Sequence, residues 1–243
     1  MNEAIIILLH LLLAHILTDF VLQPSSLIRH KRRLKGNSWF LYVHAFLAGF
    51  LSLLFLQILE LWLIALFIGI THFIIDLWKL QQKKDNLKFF LLDQFLHLLI
   101  IVLAWLYIID GFYKILPLLS NLFTDTYFLA VLIGYLLIIF PTGFLIGKAT
   151  QRWQEEIEVT HQKHSLEAAG RYIGIFERIL VLTFILTDNF SAIGFLIAAK
   201  SILRFSDKSE TGARKQTEYV LIGTLMSFAI TIIIGLLIRQ FAF

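Results

Sequence analysis

Long apolar runs separated by short polar stretches dominate the chain. They cover residues 4–22, 39–59, 61–79, 89–109, 127–147, 173–187, 190–203 and 219–238. Most approach or exceed the ~20 residues a helix needs to cross the ~30 Å hydrocarbon core of a bilayer. The apolar residues are continuous rather than alternating, which argues against a barrel. In lipid only helices or closed barrels satisfy every backbone group. The pattern predicts an all-α, polytopic transmembrane helix bundle of about eight spans. The sixth and seventh runs are short and meet at a polar turn around Asp188 and Asn189, so a tilted or re-entrant hairpin there lowers the count to seven or six. The first run, Ala4 to Leu22, is long for a signal-peptide core, lacks a positive flank and contains Asp19, so it reads as a retained span.

Composition agrees: 58% of the 243 residues are hydrophobic, 16% are charged and only three are proline. There is no cysteine, so a bound metal has only nitrogen and oxygen ligands to use. The basic residues then set the orientation. All of the 21 lysines and arginines except Lys114 and Arg239 fall on one side of the eight-span scheme. Basic flanks are retained in the cytoplasm, which puts both termini outside and predicts a multi-pass protein of the cell inner (plasma) membrane. The same basic runs suit contact with anionic lipid better than nucleic-acid binding. Residues 1–243 read as a single integral membrane domain, with a four-span half at 4–109 and a second half at 127–240. Within the latter, 148–172 carries mixed charge with Trp153 and Ile157 at helical spacing, the pattern of a cytoplasmic surface helix. Residues 110–126, with Pro117, read as an outer connection.

Chemistry concentrates in the first four spans. His15 and Asp19, His72 and Asp76, and Asp93 and His97 each stand four residues apart and so share a helix face. Spans one and three run toward the cytoplasm and read His then Asp; span four runs the other way and reads Asp then His. The reversal puts all three aspartates roughly 5 Å inside the cytoplasmic boundary and the histidines one turn deeper, with His44 of span two joining the histidine layer. Carboxylates and imidazoles are costly in lipid and should face one another. Such a set suits one or two Zn, Mn or Fe ions: His15, His44, His72 and His97 as ligands, and Asp19, Asp76 and Asp93 as ligands, orienting acceptors or general base. A hydrogen-bonded polar core and a proton or metal-ion path are the alternatives. Gln23 and Gln94 lie at the same level, and His161 and His164 fall in the cytoplasmic segment.

A second polar set, Glu177, Arg178, Lys200, Arg204 and Glu218, also lies near the cytoplasmic boundary. Ion pairing explains it simply. The functional alternative is capture of an anionic headgroup or phosphate by Lys200 and Arg204, with Glu177 and Arg178 beside them.

The segments HILTDFVLQ (15–23), THFIIDLWK (71–79) and LLDQFLHLL (91–99), with GIFERILVLTFIL, IGFLIAAKSILRF and EYVLIGTLMS further on, resemble a bacterial family of multi-span membrane proteins catalogued as domain of unknown function 3307. The resemblance implies a fold family and a set of positions but no activity. A looser similarity, in residue types only, is to membrane-bound metal-dependent hydrolases of bacterial inner membranes. The expectation is therefore a metal-dependent hydrolase or transferase working at the cytoplasmic membrane face on a lipid-like or phosphorylated substrate. A metal-ion or proton-coupled transporter is the first alternative, and a non-catalytic membrane partner or signalling protein the second.

Overall fold

The computed structural model describes residues 2–82, 86–158, 167–205 and 213–241; the side chains of 2, 154–158, 167–169, 201–205 and 213–217 are likewise outside the description. Every regular element among the described residues is helical. The chain packs as two compact units, Met1–Pro117 and Leu118–Phe243.

In the first unit, α1 (Asn2–Ile16) passes directly into a π-turn, Leu17–Val21, closed by Leu22 N–H donating to Leu17 O at 2.8 Å. Pro24 then stops the helix, since it has no N–H to donate, and its carbonyl accepts from Leu27 and Ile28 to start α2 (Ser25–Leu34). This short helix is strongly amphipathic: Arg29, Arg32 and Arg33 are exposed, whereas Lys31 is buried. The chain reverses at Lys35 and enters α3 (Trp39–Leu56). Gln57 closes α3 in the left-handed region, with φ of 58° and its N–H on Leu53 O at 3.1 Å. A side chain with a Cβ is strained there. Gln57→Gly is therefore expected to raise stability by a few tenths to about 1 kcal/mol, read as a higher unfolding temperature in detergent. α4 (Trp62–Gln81) returns, and α5 (Leu87–Ile108) starts at Asn86, whose side chain accepts from Phe89 N–H at 3.1 Å.

Small residues bring α3 and α4 together. A Cβ on Gly49 would lie 2.7 Å from Ala65 O, and one on Gly69 3.1 Å from Ala45 O. In lipid, where apolar surface gains nothing by leaving its solvent, such close backbone approach is a main source of helix association. Leu11, Leu56, Ile68, Ile101 and Ala104 form a buried apolar layer across the four long helices. Trp105 Nε1–H donates to Ala4 O at 2.6 Å and ties the start of α1 to the end of α5.

The second unit holds α7 (Thr126–Ile139), α8 (Pro141–Glu158), α9 (Glu167–Leu186), α10 (Phe190–Phe205) and α11 (Ala213–Arg239), while a short α6 (Ile115–Thr124) runs across the division. Pro141 breaks the ladder between α7 and α8. The carbonyl it leaves without a backbone donor, Leu137 O, is recovered by Thr142 Oγ1 at 2.9 Å, and Arg178 Nε donates to the next one, Ile138 O, at 2.5 Å. Val181, Ile185, Ile193 and Phe228 form one buried cluster, and Ile138, Leu182 and Ile238 another.

Among the described residues six helices are long and apolar enough to cross a membrane: Glu3–Val21, Trp39–Leu56, Leu59–Gln81, Leu87–Ile108, Thr126–Trp153 and Glu218–Arg239. Phe190–Lys200 is a shorter apolar helix. The all-α polytopic bundle is thus the observed fold, and the six helices indicate a lipid environment. One connection gains a helix and the other continues one. Residues 110–126 contain α6, because Pro117 falls in its first turn, where a missing N–H costs nothing. Residues 148–158 continue α8 rather than starting a separate surface helix, and 159–166, with His161 and His164, lie outside the described residues.

Candidate metal centre

Four histidines and three aspartates of the first unit meet at one place. His15, His44, His72 and His97 are all buried, as are Asp76 and Asp93, and the Asp19 side chain is 8% exposed. α1 and its π-turn bring His15 and Asp19, α3 brings His44, α4 brings His72 and Asp76, and α5 brings Asp93 and His97. The close α3–α4 seam sets the tightest contact, because His44 follows Ala45's contact point by one residue in reverse and His72 lies just beyond Gly69. Their Nε2 atoms stand 3.1 Å apart.

Asp19 Oδ1 completes a triangle with those two nitrogens, 3.4 Å from His44 Nε2 and 3.2 Å from His72 Nε2. The oxygen is buried and has no hydrogen-bond partner. An imidazole nitrogen carries one proton or one lone pair, yet His44 Nε2 also has Gln23 Nε2 at 2.9 Å and Asp76 Oδ2 at 3.6 Å. Hydrogen bonding alone cannot satisfy so many neighbours. Ligands held 2.0–2.2 Å from a tetrahedral cation stand about 3.3–3.6 Å from one another, and the edges of this triangle are close to that.

A second group lies beside the first. His97 Nε2 is 3.8 Å from Asp76 Oδ1 and 3.6 Å from Asp93 Oδ1. His97 Nε2 and Asp93 Oδ1 are also buried without a hydrogen-bond partner. The His72 and His97 rings stack at 4.1 Å between centroids, and His15 lies 5.4 Å from His97, its Nδ1 3.8 Å from Asp19 Oδ2. Three overlapping ligand sets result: His15, Asp19 and His72; His44, His72 and Asp76; and Asp76, Asp93 and His97.

The outer oxygens of the carboxylates are held by different partners. Lys31 Nζ donates to Asp76 Oδ2 at 2.6 Å and Lys79 Nζ to Asp93 Oδ2 at 2.5 Å. Gln94 Nε2 donates to Asp19 Oδ2 at 3.2 Å and to Asp93 Oδ2 at 3.1 Å. Such contacts fix ligand orientation around metals. Neither lysine stood out in the sequence, where both read as topology signals. The signal that finds Lys31 is its position on the face of α2 opposite Arg29, Arg32 and Arg33, turned into the bundle.

Next to the histidines is a small cavity of about 10 Å³ lined by His15, His72, His97, Ser52, Thr71 and the apolar Leu11, Ala48, Ile68, Ile100 and Ile101. It has room for about one water molecule and offers polar partners for it.

Residues 7–124 match the family model described as Protein of unknown function (DUF3307). This stretch is a DUF3307 domain. Every residue of the cluster lies inside it, and the later segments from Gly174 onward that carry the same resemblance lie beyond the matched stretch. No curated protein and no solved structure matches the chain. In the second unit Lys200 Nζ donates to Glu177 Oε2 at 2.6 Å, and Arg178 is buried with its Nε on Ile138 O. The side chain of Arg204 lies outside the described residues, and Glu218 takes part in polar contacts of its own. The DUF3307 domain therefore carries the converging set, and the pair in the second unit has the geometry of an ordinary ion pair.

Proposed function

We propose that the DUF3307 domain holds a divalent metal, Zn, Mn or Fe, and works as a metal-dependent hydrolase or transferase at the cytoplasmic face of the inner membrane, on a lipid-like or phosphorylated substrate. The observation that carries this reading is the convergence of three buried atoms without hydrogen bonds, Asp19 Oδ1, Asp93 Oδ1 and His97 Nε2, on neighbouring histidines at ligand-to-ligand spacing. Leaving such atoms bare in a buried site costs about 1–3 kcal/mol each, more where charged, and a cation removes that cost for each atom it binds. The cavity supports catalysis over a purely structural ion, because catalytic sites keep a coordination position open to water. His97 lines that cavity and carries a ring nitrogen without a hydrogen-bond partner. In the apolar layer Leu11, Ile68, Ile101 and Ala104 lie one to two helical turns from the histidines of their own helices, and Leu56 about three turns from His44. The layer gives a one-sided site and weighs against the transporter alternative, which needs a polar path through that half.

Metal analysis of the full chain, purified without chelators in detergent, tests the reading. Wild type is expected to carry stoichiometric metal and His72→Ala to carry almost none. Ester and phosphoester hydrolysis in mixed micelles should follow metal content. Wild-type protein that holds no stoichiometric metal, even after incubation with Zn²⁺ or Mn²⁺, would sink the proposal.

A further inference from the structure

The charges of the cluster are unevenly matched. Asp76 and Asp93 each hold a lysine ammonium at 2.6 and 2.5 Å, whereas among the described residues the carboxylate of Asp19 has imidazoles and the neutral amide of Gln94 as its polar contacts. With His44 and His72 neutral, as metal ligands must be, the three carboxylates and the two lysine ammonium groups sum to one unit of negative charge. One divalent ion that carries a hydroxide brings these groups to neutrality. Two divalent ions would leave it strongly positive in a low-dielectric interior, where uncompensated charge is expensive.

Geometry selects the same position as charge. The Asp19 Oδ1, His44 Nε2 and His72 Nε2 triangle has edges of 3.1, 3.2 and 3.4 Å, so an ion about 2.0–2.1 Å from all three sits just off its plane. The Asp76, Asp93 and His97 group is looser, at 3.6 and 3.8 Å, and both of its carboxylates are already turned to lysines. Lys31 is itself buried and reaches Asp76 from α2, outside the long helices, so its position is fixed by packing as well as by attraction.

We propose that the centre is mononuclear: one divalent cation seated on Asp19, His44 and His72, with the ammonium groups of Lys31 and Lys79, on the outer oxygens of Asp76 and Asp93, supplying the positive charge that a second ion would bring. This deepens the metal-centre reading above and rests on it.

The test is Mn²⁺ loading of the full chain, with metal-to-protein ratio by mass spectrometry and nuclearity by electron paramagnetic resonance. Wild type is expected to bind one Mn²⁺ and give the six-line signal of an isolated ion. Lys31→Met with Lys79→Met is expected to bind two, with the broadened signal of a coupled pair. A coupled pair in wild type, or a double variant that still binds one, overturns the proposal while leaving the metal centre intact. Absence of any bound metal overturns both. Should the double variant not purify as a monodisperse species, single variants decide: Asp19→Asn should lose the ion and Asp93→Asn keep it, and the reverse pattern overturns the assignment.

Discussion

Asp76→Ala is expected to destabilise the DUF3307 domain by about 3–5 kcal/mol, because it strands the Lys31 ammonium in a buried site. Lys31 and Asp76 side chains are 5% and 7% exposed, so neither group has water to fall back on. The comparison with Asp93 makes the claim specific. Its partner Lys79 is 27% exposed and can turn to solvent when the carboxylate is removed, so Asp93→Ala should cost clearly less. Replacing both members of the first pair, as Lys31→Met with Asp76→Leu, should recover much of the loss, since an apolar pair of similar volume needs no desolvation. Thermal unfolding in detergent, followed by tryptophan fluorescence, measures all four proteins. Equal losses for Asp76→Ala and Asp93→Ala would show that burial of the ammonium is not the cause.

Gly49→Leu is the second large effect, and it reaches the site through the backbone. The nearest atom to a Cβ at Gly49 is a main-chain oxygen, Ala65 O at 2.7 Å, which cannot swing aside as a side chain does. α3 and α4 must separate, and overpacking of this kind costs about 1–3 kcal/mol, occasionally more. The same separation pulls His44 from His72, whose nitrogens stand 3.1 Å apart. Metal affinity should therefore fall on the order of 10–100-fold, the range seen when ligand orientation is disturbed. Gly69→Ala, where the nearest oxygen is 3.1 Å away, should have a smaller effect of the same kind. Titration with a competing chelator reads the affinity; unchanged binding in Gly49→Leu would break the link between the seam and the site.

Much of this was legible in the sequence because apolar length and His/Asp spacing are both local properties. The first four spans fall within a few residues of the observed helices, and the pair in the fourth, with His and Asp in inverted order, reaches the same cluster as the others. What was not legible in the sequence depends on contacts between distant segments. His44 has no partner four residues away, so spacing gives it little weight, yet it is fully buried and touches two aspartates and His72. Lys31 and Lys79 look like ordinary basic flanks, and only the folding back of α2 and the end of α4 turns them onto carboxylates. The π-turn at Leu17–Val21 has no side-chain signature either; it follows from an extra residue that the last turn of α1 absorbs before Pro24.

The cluster also constrains how the domain is made. Asp19 enters the membrane with the first helix, while its imidazole partners at 44 and 72, and Gln94, are supplied by the second, third and fourth. At a synthesis rate of 5–20 residues per second, the ribosome needs roughly 4–15 s to get from one to the other. For that time the first helix carries a carboxylate with only His15 near it, at a depth where an unpaired charge resists insertion. The first helix should thus be a poor inserter when expressed alone and a stable one once α5 has followed it. In the cell this makes the four long helices of the domain a single unit of biogenesis, retained or released by the insertion machinery together.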